Sequence, residues 1–388
     1  MVPLQAGTRF SHGFRSGGSV HVLVTADSLS GSWTFARELV TGLVTRGIRV
    51  TLVSFGEIPL PDQTSWMDHL HGLDYRPTAF RLEWMQEAEQ DLPESSDFLL
   101  QLVRELRPDV LHLNHFCYGN LPVDVPKVVM AQGDLITWSQ AVHERPPRGL
   151  SWYRRTVLNG LMGADAVVAP SEWMLDRIAD CYMYPRRAEV IYPGRNPIFF
   201  NPYVSKDDCV LSVGRLIDAS KQVFLLTQQQ HPLPVCIVGA EHTVPLPRIP
   251  IRADVKVAIE ETSVAIRGPQ TDSQLRALYS RAAIYAATSR YEPLGMPILE
   301  AAFSRCAIVA NDIPSHREIW GDSVLYFRTN DAASLAENIR RLNEDRPMRR
   351  AYAELAYSRA REKFTTKRMI DQYLALYRSL RSTWVEAA

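Results

Sequence analysis

From Ser19 onward the chain alternates short β-branched runs with amphipathic stretches, and after about residue 200 the same rhythm starts again. Strand, helix, strand in strict succession is the pattern of a parallel sheet covered by helices. "VHVLVTA" (Val20 to Ala26) predicts a strand, "WTFARELVTGLVTRG" places apolar residues at helical spacing, and "IRVTLVSF" predicts the next strand. "DVLHLNHF", "KVVMAQ", "ADAVVAPS" and "AEVIYPG" add four strand candidates, separated by helical patterns such as "SDFLLQLVRELR" and "SEWMLDRIADCY". Prolines and a polar stretch break the periodicity at "YPGRNPIFFNPYVSKDD". "CVLSVGR", "PVCIVGA", "SVAIRG", "AAIYAAT" and "CAIVAND" then predict a second parallel sheet.

A chain of 388 residues is long enough for two such domains. The predicted fold is α/β: two Rossmann-like doubly wound domains facing a cleft. Residues 1–197 form the first domain and residues 198–369 the second. From Asp331 onward the sequence is almost wholly helical, and the last helix, 370–388, is long enough to cross back to the first domain. Open parallel sheets bind ligands at the carboxyl ends of their strands, so chemistry is expected in the strand-to-helix loops of both halves.

Charge excludes one class of partner. Lysine plus arginine (43) balances aspartate plus glutamate (43), which leaves no overall field to draw the chain onto nucleic acid. The five cysteines (Cys117, Cys181, Cys209, Cys236, Cys306) are scattered singly in apolar surroundings, as buried thiols of a reducing compartment are. No apolar run approaches the ~20 residues of a membrane span, and "MVPLQAGTRFSHGFRSGG" reads as a loose arm rather than a secretion signal. A soluble cytoplasmic protein is expected.

The most informative loop is "YEPLGMPILE", Tyr291 to Glu300. A strand ends near Thr288 and a helix is expected to begin at Pro297, a favoured first position for proline. Gly295 allows a close backbone approach, and the amides of Met296, Ile298 and Leu299 are expected as unpaired donors at a helix start that attracts phosphate. Glu300 is placed in the first turn, able to accept hydrogen bonds from a hydroxyl pair, and Glu292 in the preceding loop on the cleft side. Singly, each glutamate also fits a plain helix residue or a solvated loop charge.

Three further strand ends carry polar groups. "VLSVGRLIDASKQVFLL" runs a strand into Gly214 and Arg215, with Lys221 expected at a helix start; a guanidinium and an ammonium from one loop can clamp a diphosphate. "TADSLSGSWTFARELV" brings Ser30, Gly31 and Ser32 to the end of the first strand, where Gly31 and Ser32 are expected to bind the donor by bringing first-domain backbone to its phosphates or transferred group; its lack of GxGxxG argues against an oxidoreductase dinucleotide site. "VVMAQGDLITW" ends a strand with Gln132, Gly133 and Asp134 facing the cleft as possible sugar or acceptor contacts. His112 and His115 in "LHLNHF" are read as sharing a strand face, and without a third ligand they predict no metal site. "WYRRTVLNGL" and "MRRAYAELAYSRAR" are basic helical faces, solvated or, for the first, open to an anionic acceptor or a membrane surface.

Taken in order, these motifs resemble a known family. "RYEPLGMPILEAA" is similar to the EPFG-type signature of the retaining glycosyltransferases of family four, with the GT-B fold. "VGRLIDASK" resembles their donor-phosphate loop, "RPDVLHLNH" a first-domain strand, "ADAVVAPSEWML" the last first-domain strand and helix, and "NDIPSHREIWGDSVLYF" the segment after the signature helix. The resemblance spans about residues 19 to 380. It implies a donor side in the second domain and an acceptor side in the first. It also implies that Arg215 and Lys221 bind the diphosphate of a nucleoside-diphosphate sugar, with UDP the leading nucleotide. Glu300 would meet the ribose hydroxyls, Glu292 the transferred hexose, and the backbone of Gly295 to Ile298 the sugar and phosphate. No cofactor or metal is implied, because cationic side chains and helix ends take over the role of an ion. The acceptor hydroxyl would enter on the face the phosphate leaves, giving its proton to the departing oxygen.

The chain departs from the family pattern in places. Six positions separate Arg215 from Lys221, one more than the commonest spacing; Gln132 stands where many members have a histidine; "YPGRN" replaces "NGVD"; and Ser304 and Arg305 replace a small glycine. The expected activity is hexosyl transfer to an acceptor hydroxyl, the acceptor being a saccharide, a lipid-linked or a small molecule. The alternatives are a nucleotide-sugar-binding protein without transfer and a GT-B epimerase or hydrolase. The segment 57–93, rich in aromatics and acids, is expected to contribute acceptor contacts or to be a packed excursion.

Overall fold

The computed structural model describes residues 20–29, 31–144, 149–216, 218–239 and 264–387, with side chains up to 381. The N-terminal arm and Ser30 lie outside the described residues.

Seven parallel strands form the first sheet: β1 (His21–Asp27), β2 (Arg49–Phe55), β3 (Leu73–Pro77), β4 (Val110–Leu113), β5 (Lys127–Met130), β6 (Ala166–Ala169) and β7 (Ala188–Val190), in the order β3-β2-β1-β4-β5-β6-β7. Six form the second: β8 (Asp207–Val213), β9 (Val235–Val238), β10 (Val264–Arg267), β11 (Ala282–Ala287), β12 (Ala307–Asn311) and β13 (Leu325–Phe327), in the order β10-β9-β8-β11-β12-β13. Both sheets reverse direction of growth beside their first strand, between β1 and β4 and between β8 and β11. That is where an open α/β sheet leaves its crevice.

Registers follow the hydrophobic pattern. Val22 and Val24 of β1 pair with Val50 and Leu52 of β2, and all four are fully buried because helices cover both faces. Helix α1 (Ser32–Val44) covers one face with Phe35, Ala36, Leu39, Val40 and Leu43. On the same layer lies the final helix, running from Thr366 to Ala387, whose Met369, Ile370, Tyr373 and Tyr377 join that core. The last helix therefore does cross back to the first sheet, beginning four residues earlier than its apolar pattern indicated.

Two edge strands have no counterpart among the strands expected from sequence: β3 inside the 57–93 segment, and β13 in the segment after the signature helix, ahead of the helical stretch from Asp331. Both are short and sit at or next to a sheet edge, where one neighbour supplies the ladder and the local pattern says little. The remainder of 57–93 packs as an excursion. Glu83, buried, accepts the amides of Phe116 (3.1 Å) and Cys117 (2.7 Å), and burial pushes its carboxyl up to about 7.

The two histidines of "LHLNHF" do not share a face. His112 contacts Tyr377 Oη through Nδ1 (2.7 Å) on the helix side, whereas His115 pairs with Thr25 (3.0 Å) and packs on Phe55 and Tyr118. Among the described residues no three His, Cys, Asp or Glu side chains are grouped to hold a metal.

Candidate active site

The site is built where β8 and β11 end, beside the switch point of the second sheet. Beyond β11 the chain passes Thr288 and Ser289, turns through Pro293 and Gly295, and enters helix α8 (Met296–Phe303). Gly295 caps this helix with φ +63°, a left-handed conformation that glycine adopts without strain. The helix begins at Met296, so Pro297 is its second residue. Leu299 donates to the Gly295 carbonyl (3.1 Å) and is not a free donor, contrary to expectation. The amides of Met296 and Ile298 remain without a backbone partner among the described residues.

Glu292 is neither exposed nor isolated. Its side chain is 7% exposed and lies 2.6 Å from the Lys221 ammonium. Ser289 Oγ donates to it (2.9 Å), and the Gly295 amide donates to its other oxygen (3.2 Å). Burial pushes the Glu292 carboxyl up, but Lys221 and Ser289 outweigh it and hold the group ionised below the usual glutamate range. Two loops separated by 71 positions thus converge on one ion pair.

Lys221 does not start an α-helix. It stands in a turn followed by a short 3₁₀ segment, Val223–Thr227, and Asp218 shapes that turn. The Lys221 amide donates to the Asp218 carbonyl (3.0 Å), while the Ser220 amide and Arg215 Nη2 reach the Asp218 carboxylate at 2.9 and 3.2 Å. The extra residue in this loop is thereby accommodated. Gly214 extends the β8 ladder by donating to the Val238 carbonyl (2.9 Å), and Arg215 follows it partly exposed.

Asn311 at the end of β12 ties the glutamate loop down: its Nδ2 donates to the Ser289 carbonyl (3.2 Å) and to Asn330 Oδ1 (3.1 Å). His316 approaches from the next helix, its Nδ1 on the Asn311 carbonyl (2.9 Å) and its buried Nε2 without a hydrogen-bond partner among the described residues. Nothing in their local sequence separates these two residues from ordinary strand-end and helix residues.

Glu300 is the largest correction. It is the fifth residue of α8, past the first turn, and the helix dipole is not its counter-charge. Arg195 Nη2 is, at 2.8 Å, with both side chains nearly buried. Burial raises the Glu300 carboxyl despite that guanidinium. Arg195 belongs to the "YPGRN" stretch, and its role was invisible in sequence because Glu300 lies 105 positions away.

The first domain closes over this loop. Tyr291 Oη bonds Thr137 Oγ1 (2.8 Å) and its ring meets Trp173 edge-on; Arg290 donates to the Val142 carbonyl (3.3 Å). Asp134, expected as a ligand contact, is instead the buried N-cap of the helix Leu135–His143, accepting Ile136 N (2.8 Å) and the hydroxyls of Thr137 (2.6 Å) and Tyr182 (2.6 Å). Gln132 gives its amide to Asn114 Oδ1, while its Oε1 is buried without a hydrogen-bond partner among the described residues. Gly31 is exposed at the start of α1, and Ser32 is buried beside the carbonyl of Asp27 (3.5 Å).

Family models match both halves of the chain: Glycosyltransferase Family 4 over residues 29–198 and Glycosyl transferases group 1 over residues 198–359. The chain belongs to the family 4 glycosyltransferases. This glycosyltransferase is 27% identical over 300 residues to alpha-maltose-1-phosphate synthase of Mycolicibacterium smegmatis, a match covering 69% of this chain and 76% of that protein. It is 30% identical over 145 residues to the lipopolysaccharide core biosynthesis mannosyltransferase LpcC of Rhizobium leguminosarum bv. viciae, covering 37% and 40%. Among solved structures, sucrose-phosphate synthase from Thermosynechococcus elongatus superposes with a TM-score of 0.76 at 18% identity over 94% of this chain and 100% of that one. Anabaena HepE in complex with UDP and glucose gives 0.74 at 16% over 93% and 100%. The glycosyltransferase has the GT-B fold, two Rossmann-like domains facing a cleft. No helix among the described residues is long and apolar enough to cross a membrane.

Proposed function

We propose that this glycosyltransferase moves a hexosyl group from a nucleoside-diphosphate sugar to an acceptor hydroxyl with retention of anomeric configuration and without a metal. The observation that carries the reading is the Lys221–Glu292 pair, 2.6 Å apart at the converging ends of β8 and β11, beside a helix start whose first amides are open. In this reading the diphosphate lies across Arg215, Lys221 and the amides of Met296 and Ile298, where fixed positive charge meets the charge that builds on the leaving group. Glu292, kept ionised by Lys221, faces the hexose hydroxyls and orients the sugar. Glu300 accepts the ribose hydroxyls. Neither carboxylate need form a bond: the acceptor oxygen bonds to the anomeric carbon as the carbon–phosphate oxygen bond breaks, and the departing phosphate takes the hydroxyl proton.

UDP is the proposed nucleotide, and the UDP and glucose found with HepE, whose fold this chain shares, support it. The first domain carries the acceptor side, with Gln132 at the cleft, residues 1–197 and the crossing helix forming one domain and residues 198–369 the other. The scattered cysteines, none of them in a disulfide among the described residues, support a cytoplasmic setting.

The test is a panel of UDP-, GDP- and ADP-sugars offered with saccharide, lipid-linked and small-molecule acceptors, with and without EDTA. The expected result is nucleotide release with one donor, unaffected by EDTA, giving a product whose anomeric proton keeps the donor's configuration by NMR. Binding of a donor with no release across the acceptors, or an inverted product, would overturn the reading.

A further inference from the structure

The two chain crossings between the domains are sewn to each other. Arg195 N donates to the Phe364 carbonyl (3.0 Å) and Thr366 N to the Arg195 carbonyl (3.1 Å), a parallel bridge between the segment leaving the first domain and the one returning to it. The Arg195 side chain runs from this hinge into the interior and is 3% exposed. One end of its guanidinium pairs with Glu38 of α1 in the first domain, and the other with Glu300 of α8 in the second (2.8 Å). The second Glu38 oxygen accepts the Thr366 hydroxyl, and Phe200 lies under the guanidinium with its ring centre 5.3 Å away. Arg37, next to Glu38, pairs across the domains with Asp272.

A buried arginine needs one carboxylate for balance, and this one has two, one from each domain. A planar fork held at both ends fixes the direction of each carboxylate, which an ammonium in its place could not do. The guanidinium takes one Glu300 oxygen, and 9% of that side chain stays exposed. We propose that Arg195 is a positioning residue for the donor: from the inter-domain hinge it sets the Glu300 carboxylate that receives the ribose hydroxyls, so ribose recognition depends on the guanidinium that holds Glu38 of α1 and Glu300 of α8 together. This rests on the reading of Glu300 as the ribose ligand.

The experiment measures binding of UDP, or of the diphosphate the donor panel selects, against its dideoxyribose counterpart, together with donor KM and kcat for the full chain. Wild type is expected to prefer the ribose form by about tenfold or more, the effect of a hydrogen bond to a charged acceptor. Arg195→Met is expected to cut that preference to about twofold or less and raise donor KM about tenfold, with kcat at saturating donor held within about threefold. Arg195→Lys should fall between, because an ammonium reaches only one carboxylate at a time. A purely structural arginine would lower the melting temperature and leave the preference intact, and an intact preference in folded Arg195→Met overturns the proposal. If Arg195→Met does not fold, the same two results in Arg195→Lys decide it. Wild type without a preference, or a preference that survives Glu300→Ala, removes the ribose reading itself, and the proposal with it, in a variant that leaves Arg195 in place.

Discussion

Replacing Lys221 by methionine removes one charge from a pair whose other member has nowhere to go. Glu292 is 7% exposed and Lys221 23%, so water screens the contact only from the lysine side. Two unit charges about 4 Å apart at an effective dielectric near 20 attract by roughly 4 kcal/mol. Ser289 and the Gly295 amide stay on the orphaned carboxylate, so the net loss in Lys221→Met should be about 2–4 kcal/mol, at the low end for breaking a buried pair. Glu292→Gln leaves an ammonium that can turn to solvent and should cost about 1 kcal/mol or less. The double variant should be more stable than Lys221→Met alone, giving a coupling of about 2 kcal/mol. Urea unfolding of the four proteins at pH 7 measures it. The pH dependence also has a sign: the lowered Glu292 pKa gives wild type stability present above about 4.5 and lost as pH falls through the folded value, whereas in Lys221→Met the main counterweight to burial is gone and this contribution shrinks. In turnover, kcat/KM should fall about 10²- to 10³-fold for Lys221→Met. Stability losses that add within about 0.5 kcal/mol would refute the coupling, and an unchanged kcat/KM would refute the site.

Two further outcomes follow from packing and burial. Gly194→Ala would set a methyl group 2.4 Å from the Thr365 carbonyl oxygen and force the two crossings apart; a loss of about 2 kcal/mol or more by thermal melting is expected, with donor KM raised as in Arg195→Met. Burial pushes His112 and His115 down to about 3, so each gives stability present above about 6.5 and lost progressively as pH falls toward the folded value. The urea midpoint should therefore drop steeply between about pH 6.5 and 4.5 in wild type, and less steeply in His115→Leu, where one such group is absent.

The strands that the sequence revealed were those whose pattern is complete in themselves. β1, β2, β11 and β12 are rich in β-branched or small apolar residues and buried on both faces over nearly their whole length, so the local sequence already contains the reason for the structure. β3 and β13 are strands because a neighbour offers its edge, and "LDYRP" or "LYF" does not carry that information. The same division holds at the site. The loop through Pro293 and Gly295 into a helix was legible, because a left-handed glycine and an early proline act within a few residues. The capping role of Asp134 was not legible, since a capping carboxylate and a ligand-facing one look alike until Tyr182 and Thr137 are brought to it.

From its sequence alone the chain determined two parallel sheets, a break near residue 200, a returning helix, and the loops in which charge would gather. Each of these is a matter of period, turn chemistry or composition over short range. Tertiary structure decided which charges meet. Lys221 finds Glu292 across 71 positions, and Glu300 finds not the helix dipole but an arginine in the hinge, itself shared with Glu38 of the other domain. Buried ions must be balanced where they come to lie, and that place is fixed only once both sheets are packed.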